Sequence, residues 1–295
     1  NFLALMFCLM VGTAGLPHLL TRYFTVPSVA EARTSVAWSL FFIALLYLSV
    51  PALALLVKFE VMNNLVGSSF DALPTWMGQW SKVDASLLSV SDVNGDGILQ
   101  LGEIRLGADL VMLATPELGG MPYVVSGLVA AGGLAAALST ADGLLLTISN
   151  ALVRDMVYAN TRRRAMPEQR VILTKFALLA VAMLAASVAA LLPAGILPMV
   201  TASFSLVAAA LVPAMLLGLF WRGATRQGAV AGMLVGLAVV IYYMLAHSDG
   251  LLSGVGRSPT SNLWFGIQPM SAGVFGVPAG LLVAWLVSLF WKRSA

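Results

Sequence analysis

Runs of about twenty consecutive apolar residues recur along this 295-residue chain, separated by short polar connectors, and each is long enough to cross a bilayer as a single helix. That pattern excludes most folds at once. Hydrophobic residues make up 60% of the sequence and charged residues 10%, with a mean hydropathy of +0.93, whereas about a quarter of an ordinary soluble domain is charged. A water-soluble fold of this size cannot hide so much apolar surface. Lipid offers no partner to a bare N–H or C=O, so the spans are predicted to be helices. Seven segments stand out, at about residues 2–20, 35–57, 121–152, 171–192, 196–220, 228–246 and 272–291. The expected fold is an all-α membrane protein of about seven transmembrane helices. Residues 1–57 hold two of them, residues 58–120 form an extracytoplasmic insert, and residues 121–295 hold the remaining five. The chain is apolar from Asn1 onward, with no initiator Met or basic leader, which suggests a piece cut just before or within a span.

Orientation is read from the basic residues. Placing Arg162, Arg163 and Arg164 in the cytoplasm carries Arg22, Arg33, Arg154, Arg170, Lys175, Arg222, Arg226, Lys292 and Arg293 to the same side. Only Lys58, Lys82, Arg105 and Arg257 then lie outside. Asp and Glu fall the other way, with Glu31, Asp155 and Glu168 alone inside and Asp142 within a span. An odd number of spans fits this division, with the first residue outside and the last inside. Trp76 and Trp80 in the insert are expected at the membrane interface or packed beneath the loop.

The insert carries a more specific signal. Asp92-Val-Asn94-Gly-Asp96-Gly97-Ile98-Leu-Gln100-Leu-Gly-Glu103 reproduces the twelve-residue EF-hand loop pattern, D-x-[DN]-x-[DN]-G-x5-E. Asp92, Asn94 and Asp96 supply oxygens to one side, Gly97 allows the sharp turn, and the Ile98 carbonyl is the expected main-chain ligand. Gln100 ligates directly or through water, and Glu103 closes the shell with two oxygens. A bound Ca²⁺ acting as a structural staple is the expectation. The competing account is a turn that uses Asp, Asn and Gly for their conformational habits, and no second loop is present to pair with this one.

Polar residues inside the spans are the next clue. Ala136, Ser139 and Thr140 stand at i, i+3 and i+4, so one carbonyl and two hydroxyls share a helix face. That is half a shell for a small hard cation, although span hydroxyls usually bond their own helix or glue helices together. Asp142 is a carboxylate at membrane depth, where charge is expensive and marks an ion or proton path or a polar contact. Gly12-Thr13-Ala-Gly15-Leu-Pro17-His18 interrupts the first span, as expected of a discontinuous helix or a kink near a helix end. Pro198, Thr201, Ser203, Ser205 and Pro213 mark the fifth span, and Gly228, Gly232 and Gly236 form a small-residue stripe for close packing.

Other chemistries find little support. Cys8 is the single cysteine, so disulfides and cysteine-based zinc sites are excluded. His18 and His247 both lie near predicted span ends, no nucleotide-binding glycine loop is present, and nothing points to nucleic acid. No ring of charge or filter-like repeat suggests a channel.

These residues resemble the sodium:solute symporter family, most closely its acetate/cation symporter-like bacterial branch. Gly15-Leu-Pro17-His18-Leu-Leu-Thr-Arg22 looks like its G-x-P-H-x-x-x-R segment. Ala136-Ala-Leu-Ser139-Thr140 with Asn150-Ala-Leu-Val-Arg-Asp155-Met-Val-Tyr158 looks like its sodium-site helix and the turn after it. Trp221-Arg222-Gly-Ala-Thr225-Arg226-Gln-Gly228-Ala229-Val-Ala-Gly232 is similar to its second signature. The resemblance implies the C-terminal part of a leucine-transporter-like inverted-repeat fold, holding core helices six to ten and two peripheral helices. It implies that Na⁺ is the coupling ion, bound by Ala136, Ser139 and Thr140, and that Gly12, Thr13 and Pro17 face substrate. The missing N-terminal helices of the same transporter would then complete the site. Asp142 has no place in that motif. The implied activity is Na⁺-coupled symport of a small solute, a short-chain monocarboxylate such as acetate, across the bacterial inner membrane. A solute-sensing module and a proton-coupled symporter are the alternatives.

Overall fold

The computed structural model describes residues 1–23, 25–158, 167–191, 196–247 and 263–292. Arg162, Arg163, Arg164, Asp249, Arg257 and Arg293, which enter the orientation argument, lie outside them. Ten α-helices are described: α1 (Phe2–Ala14), α2 (Pro17–Tyr23), α3 (Val29–Glu60), α4 (Thr75–Val83), α5 (Val111–Leu118), α6 (Tyr123–Asn150), α7 (Pro167–Leu191), α8 (Ile196–Phe220), α9 (Arg226–His247) and α10 (Gly273–Lys292). Two three-residue strands, β1 (Leu88–Val90) and β2 (Ile104–Leu106), pair antiparallel within the insert. Among the described residues the paired strands fall in the insert, and the long apolar segments are helical.

Among the described residues six helices, rather than seven, are long and apolar enough to cross a membrane. The expected first span is replaced by two short helices. α1 has 13 residues, about 20 Å at 1.5 Å per residue, which falls short of a hydrocarbon core of roughly 30 Å. It stops because the chain turns at Gly15, whose N–H reaches back to the carbonyls of Gly12 and Val11, and because Pro17 has no N–H to continue the ladder. The remaining helices keep their expected order and differ from the sequence reading by a few residues at their ends, α3 most of all. Ser28 starts α3 by accepting the Glu31 N–H at its hydroxyl, and Pro51 is carried inside it. It ends in a π-helical turn, Val61–Leu65.

The chain divides into two compact units, residues 1–25 with 183–295 and residues 26–182. In the first, α8, α9 and α10 pack against one another and α1 lies on α8. The glycine stripe explains the closeness of α9 and α10. A Cβ placed on Gly232 would stand 2.5 Å from the Ala284 Cβ and 2.6 Å from the Gly280 carbonyl oxygen, and one on Gly228 would collide with Ser288. Ser288 also joins the two helices: its hydroxyl accepts the Thr225 N–H at 3.2 Å, while the Thr225 hydroxyl caps α9 by accepting the Gly228 N–H.

In the second unit α5 lies against α3 and α6. The insert has its own core of Leu65, Met77, Leu88, Leu99, Leu110 and Ala114, with Trp76 and Trp80 packed on it. Both tryptophans therefore serve the insert itself, and the Trp80 indole N–H donates to Glu117 at 3.0 Å. α3 and α6 present exposed apolar side chains along nearly their whole length. Such helices are stable only in lipid or against further helices. Replacing Gly232 with Ala in the full-length protein is expected to cost about 1–3 kcal/mol through overpacking. The measurement is the thermal unfolding midpoint in detergent, which falls by several degrees.

Candidate functional site

The candidate groups lie at the break between α1 and α2, along the middle of α6 and in the insert loop. The break between α1 and α2 occurs at Gly15-Leu16. Gly12 is buried where α1 meets α8, so tightly that a Cβ there would stand 2.6 Å from the Phe204 carbonyl oxygen. Thr13 is exposed and donates its hydroxyl to the Leu9 carbonyl at 2.6 Å. Pro17 is half-buried at the start of α2. Of the three substrate candidates, Gly12 is occupied by a helix contact, and Thr13 offers the polar atom.

Around this break the first unit shows polar contacts the sequence did not reveal. The buried Cys8 thiol donates to the Ser271 carbonyl at 3.3 Å, and the Ser205 hydroxyl donates to the Met270 carbonyl at 2.7 Å. Both carbonyls belong to the short turn that precedes α10, so α1 and α8 are pinned to it by hydrogen bonds away from water. Serines and a lone cysteine in apolar helices gave no hint of their partners, which lie far along the chain.

On α6, Ala136, Ser139, Thr140 and Asp142 are all exposed within their unit. The Thr140 hydroxyl donates to the Ala136 carbonyl at 3.2 Å, and Thr147 and Ser149 likewise bond the carbonyls of Gly143 and Leu145. Back-bonding uses the hydroxyl proton and leaves oxygen lone pairs for an ion. Among the described residues none hydrogen-bonds the Ser139 hydroxyl. Three oxygens of one helix are not a full shell for a hard cation, which takes six or so. α6 runs on into a π-helical stretch, Ala151–Tyr158, at the segment containing Asp155.

The insert loop is built in more detail. Asp92 accepts the N–H groups of Gly95 and Gly97 at 2.7 and 3.0 Å, one on each carboxylate oxygen. Glu103, buried at the other end, accepts those of Val93 and Gln100 at 2.9 and 3.0 Å. The side-chain amides of Asn94 and Gln100 both donate to Asp96 at 2.9 Å. Oxygens of Asp92, Asp96 and Glu103 come within 4.8 Å of one another. The Asp96 carboxyl is held below the usual carboxylate range, first by the Ile98 N–H that it accepts and then by these amides. Gly95 and Gly97 take left-handed backbone, with φ of +74° and +71°, which a side chain would strain.

Flanking strands, rather than helices, carry this loop. The sequence offered no second loop to pair with it, and the structure supplies a substitute. The Leu99 N–H donates to the Ser68 carbonyl at 2.8 Å and the Gly67 N–H to the Leu99 carbonyl at 2.8 Å, with Ser69 bridging Ile98. The loop is thereby tied to the segment leaving α3, and Leu99 drops into the insert core.

Residues 111–236 match the sodium:solute symporter family. An uncharacterized symporter of Cupriavidus necator is 54% identical over all 295 residues of this chain, which span 43% of that protein. The monocarboxylic acid transporter of Corynebacterium glutamicum is 26% identical over 99% of this chain and 47% of its own length. The high-affinity proline transporter PutP of Bacillus subtilis is 37% identical over 44% of this chain and 27% of its own length. The chain spans about half, or less, of the curated relatives it matches. Over residues 111–236 and along its whole length the chain is thus similar to sodium:solute symporters, and it is a multi-pass membrane protein. Truncating Leu99 to Ala is expected to destabilise the insert by about 2–5 kcal/mol, read as loss of amide hydrogen-exchange protection in residues 65–110.

Proposed function

We propose that this chain is the C-terminal portion of a Na⁺-coupled symporter for a small solute, a short-chain monocarboxylate such as acetate, in the bacterial plasma membrane. The observation that carries the coupling ion is the pairing of a family match spanning α6 with a free Ser139 hydroxyl beside the Thr140 and Ala136 oxygens. The solute class is supported by the relative named as a monocarboxylic acid transporter, matched along nearly the whole of this chain. On this reading Ala136, Ser139 and Thr140 hold the dehydrated ion together with oxygens from N-terminal helices of the same transporter. Thr13 and Pro17 border the solute at the broken helix, Gly12 allows that helix its close seat on α8, and Asp142 lies on the ion or proton path. Differential affinity drives the cycle: Na⁺ favours the outward-open state, and solute binding permits closure.

The test is solute uptake by the full-length protein in proteoliposomes with and without an inward Na⁺ gradient. Losing one hydroxyl ligand costs about 1–3 kcal/mol, so Ser139→Ala and Thr140→Ala are each expected to raise the half-saturating Na⁺ concentration about fivefold or more. Uptake that ignores Na⁺ and follows a pH gradient would reject the sodium assignment in favour of proton coupling.

We infer further that the insert loop binds Ca²⁺ through Asp92, Asn94, Asp96, the Ile98 carbonyl, Gln100 and Glu103. Support comes from the convergence of three carboxylates on one point and from the two left-handed glycines. Tied as it is to the end of α3, the ion would staple the insert rather than enter the transport cycle. Saturating Ca²⁺ at a hundred times its dissociation constant stabilises a fold by about 2.7 kcal/mol. The unfolding midpoint of the wild type is expected to rise by several degrees on adding Ca²⁺, and that of Asp92→Ala to stay put. An unmoved wild type would leave the loop as a turn.

A further inference from the structure

One aromatic turn is used by none of the chemistry above. Trp264–Gly266 form a single 3₁₀ turn just before α10, and within it Phe265 has φ 53° and ψ 23°. It is the one non-glycine residue with positive φ among the described residues. Bulky side chains avoid this left-handed region, which glycine, asparagine or aspartate enters at far less cost. The side chain gains no internal burial in exchange: Phe265 is 94% exposed and Trp264 43%.

The turn is nevertheless held firmly from below. Tyr243, fully buried near the end of α9, accepts the Trp264 N–H at its hydroxyl at 3.1 Å and donates to the Ile267 carbonyl at 2.8 Å. Its ring lies 5.2 Å from the rings of both Trp264 and Phe275 and 4.3 Å from that of His247, centroid to centroid. One hydroxyl thus clamps the backbone on both sides of Phe265, over a packed aromatic base. A strained residue persists only where its surroundings over-determine it, and such strain collects at sites of function. Here its visible effect is to point an aromatic ring out of the protein.

Position says what the ring meets. The turn lies where α9 ends and α10 begins, two helices apolar enough to span a bilayer. Their opposite ends carry Arg226 and Lys292, with Arg222 just before α9, so by the positive-inside rule the turn stands at the outer membrane–water boundary. Tryptophan is enriched in that layer, and phenylalanine on an interfacial face is buried at the boundary between headgroups and acyl chains. The geometry points to an outer-leaflet anchor: Tyr243 braces the 264–266 turn so that Phe265, with Trp264 beside it, is set into the boundary between lipid headgroups and acyl chains. The partner is the lipid surface itself, recognised by apolar contact and not by charge. Fixing the depth of this end of the α9–α10 pair is the anchor's effect.

The experiment uses the full-length protein in liposomes, with Phe265→Cys carrying a bimane fluorophore on a background stripped of other reactive cysteines. Val83→Cys, exposed on the insert, is the aqueous reference. Lipids spin-labelled near the top of the acyl chain are expected to quench bimane at 265 at least twofold more than at 83, and aqueous iodide to quench it at least twofold less. Iodide quenching equal at the two sites would place the ring in water and overturn the proposal. Shielding from both quenchers would place it against protein, and would overturn it equally.

Discussion

Lipid supplies no hydrogen bonds to a polypeptide backbone, and the architecture follows from how this chain answers that constraint. Most of the sequence satisfies it by continuous helix, α3, α6 and α7 to α10 being long and apolar enough to span. Wherever the helix stops at membrane depth, something must take over the orphaned groups. At Gly15-Leu16 the turn is closed by i→i+3 and i→i+4 bonds to Gly12, Thr13 and Val11, with Pro17 contributing no donor. Before α10 the carbonyls of Met270 and Ser271 are met by Ser205 and Cys8. The same demand that forbids loose backbone makes these interruptions places where polar atoms gather.

The two units answer different problems. α8, α9 and α10 pack through a seam so narrow that Gly232 and Gly280 admit nothing larger, with Thr225 and Ser288 tying one end. Around them the chain supplies enough contact to make a bundle by itself. α3 and α6 instead expose apolar faces end to end, and the family's longer relatives give room for further helices to cover them. The insert solves its problem as a soluble domain would, with a small apolar core, two tryptophans and a hairpin.

Much of this was legible in the residues. Apolar run length marked the long spans, and the EF-hand pattern named the residues that converge at Asp92, Asp96 and Glu103. Gly15 and Pro17 announced a break, but composition alone could not say that it would leave α1 too short to span. Pairing was the blind spot. Nothing local links Leu99 to Ser68, Cys8 to Ser271 or Tyr243 to Trp264, because such partners are chosen by the fold and not by sequence period. Phe265 was silent for a related reason: its signal is a backbone angle in a residue type that gives no warning of it. The shared face of Ala136, Ser139 and Thr140 on α6 was legible from helical spacing alone.

The central claim is that the Ser139 and Thr140 hydroxyls ligate a sodium ion. Equilibrium binding of radioactive ²²Na⁺ to the purified full-length protein tests it without reference to any solute. Saturable binding that Ser139→Ala and Thr140→Ala each weaken, with the fold intact by thermal unfolding, is the predicted result. Binding of equal strength in wild type and both variants would contradict it.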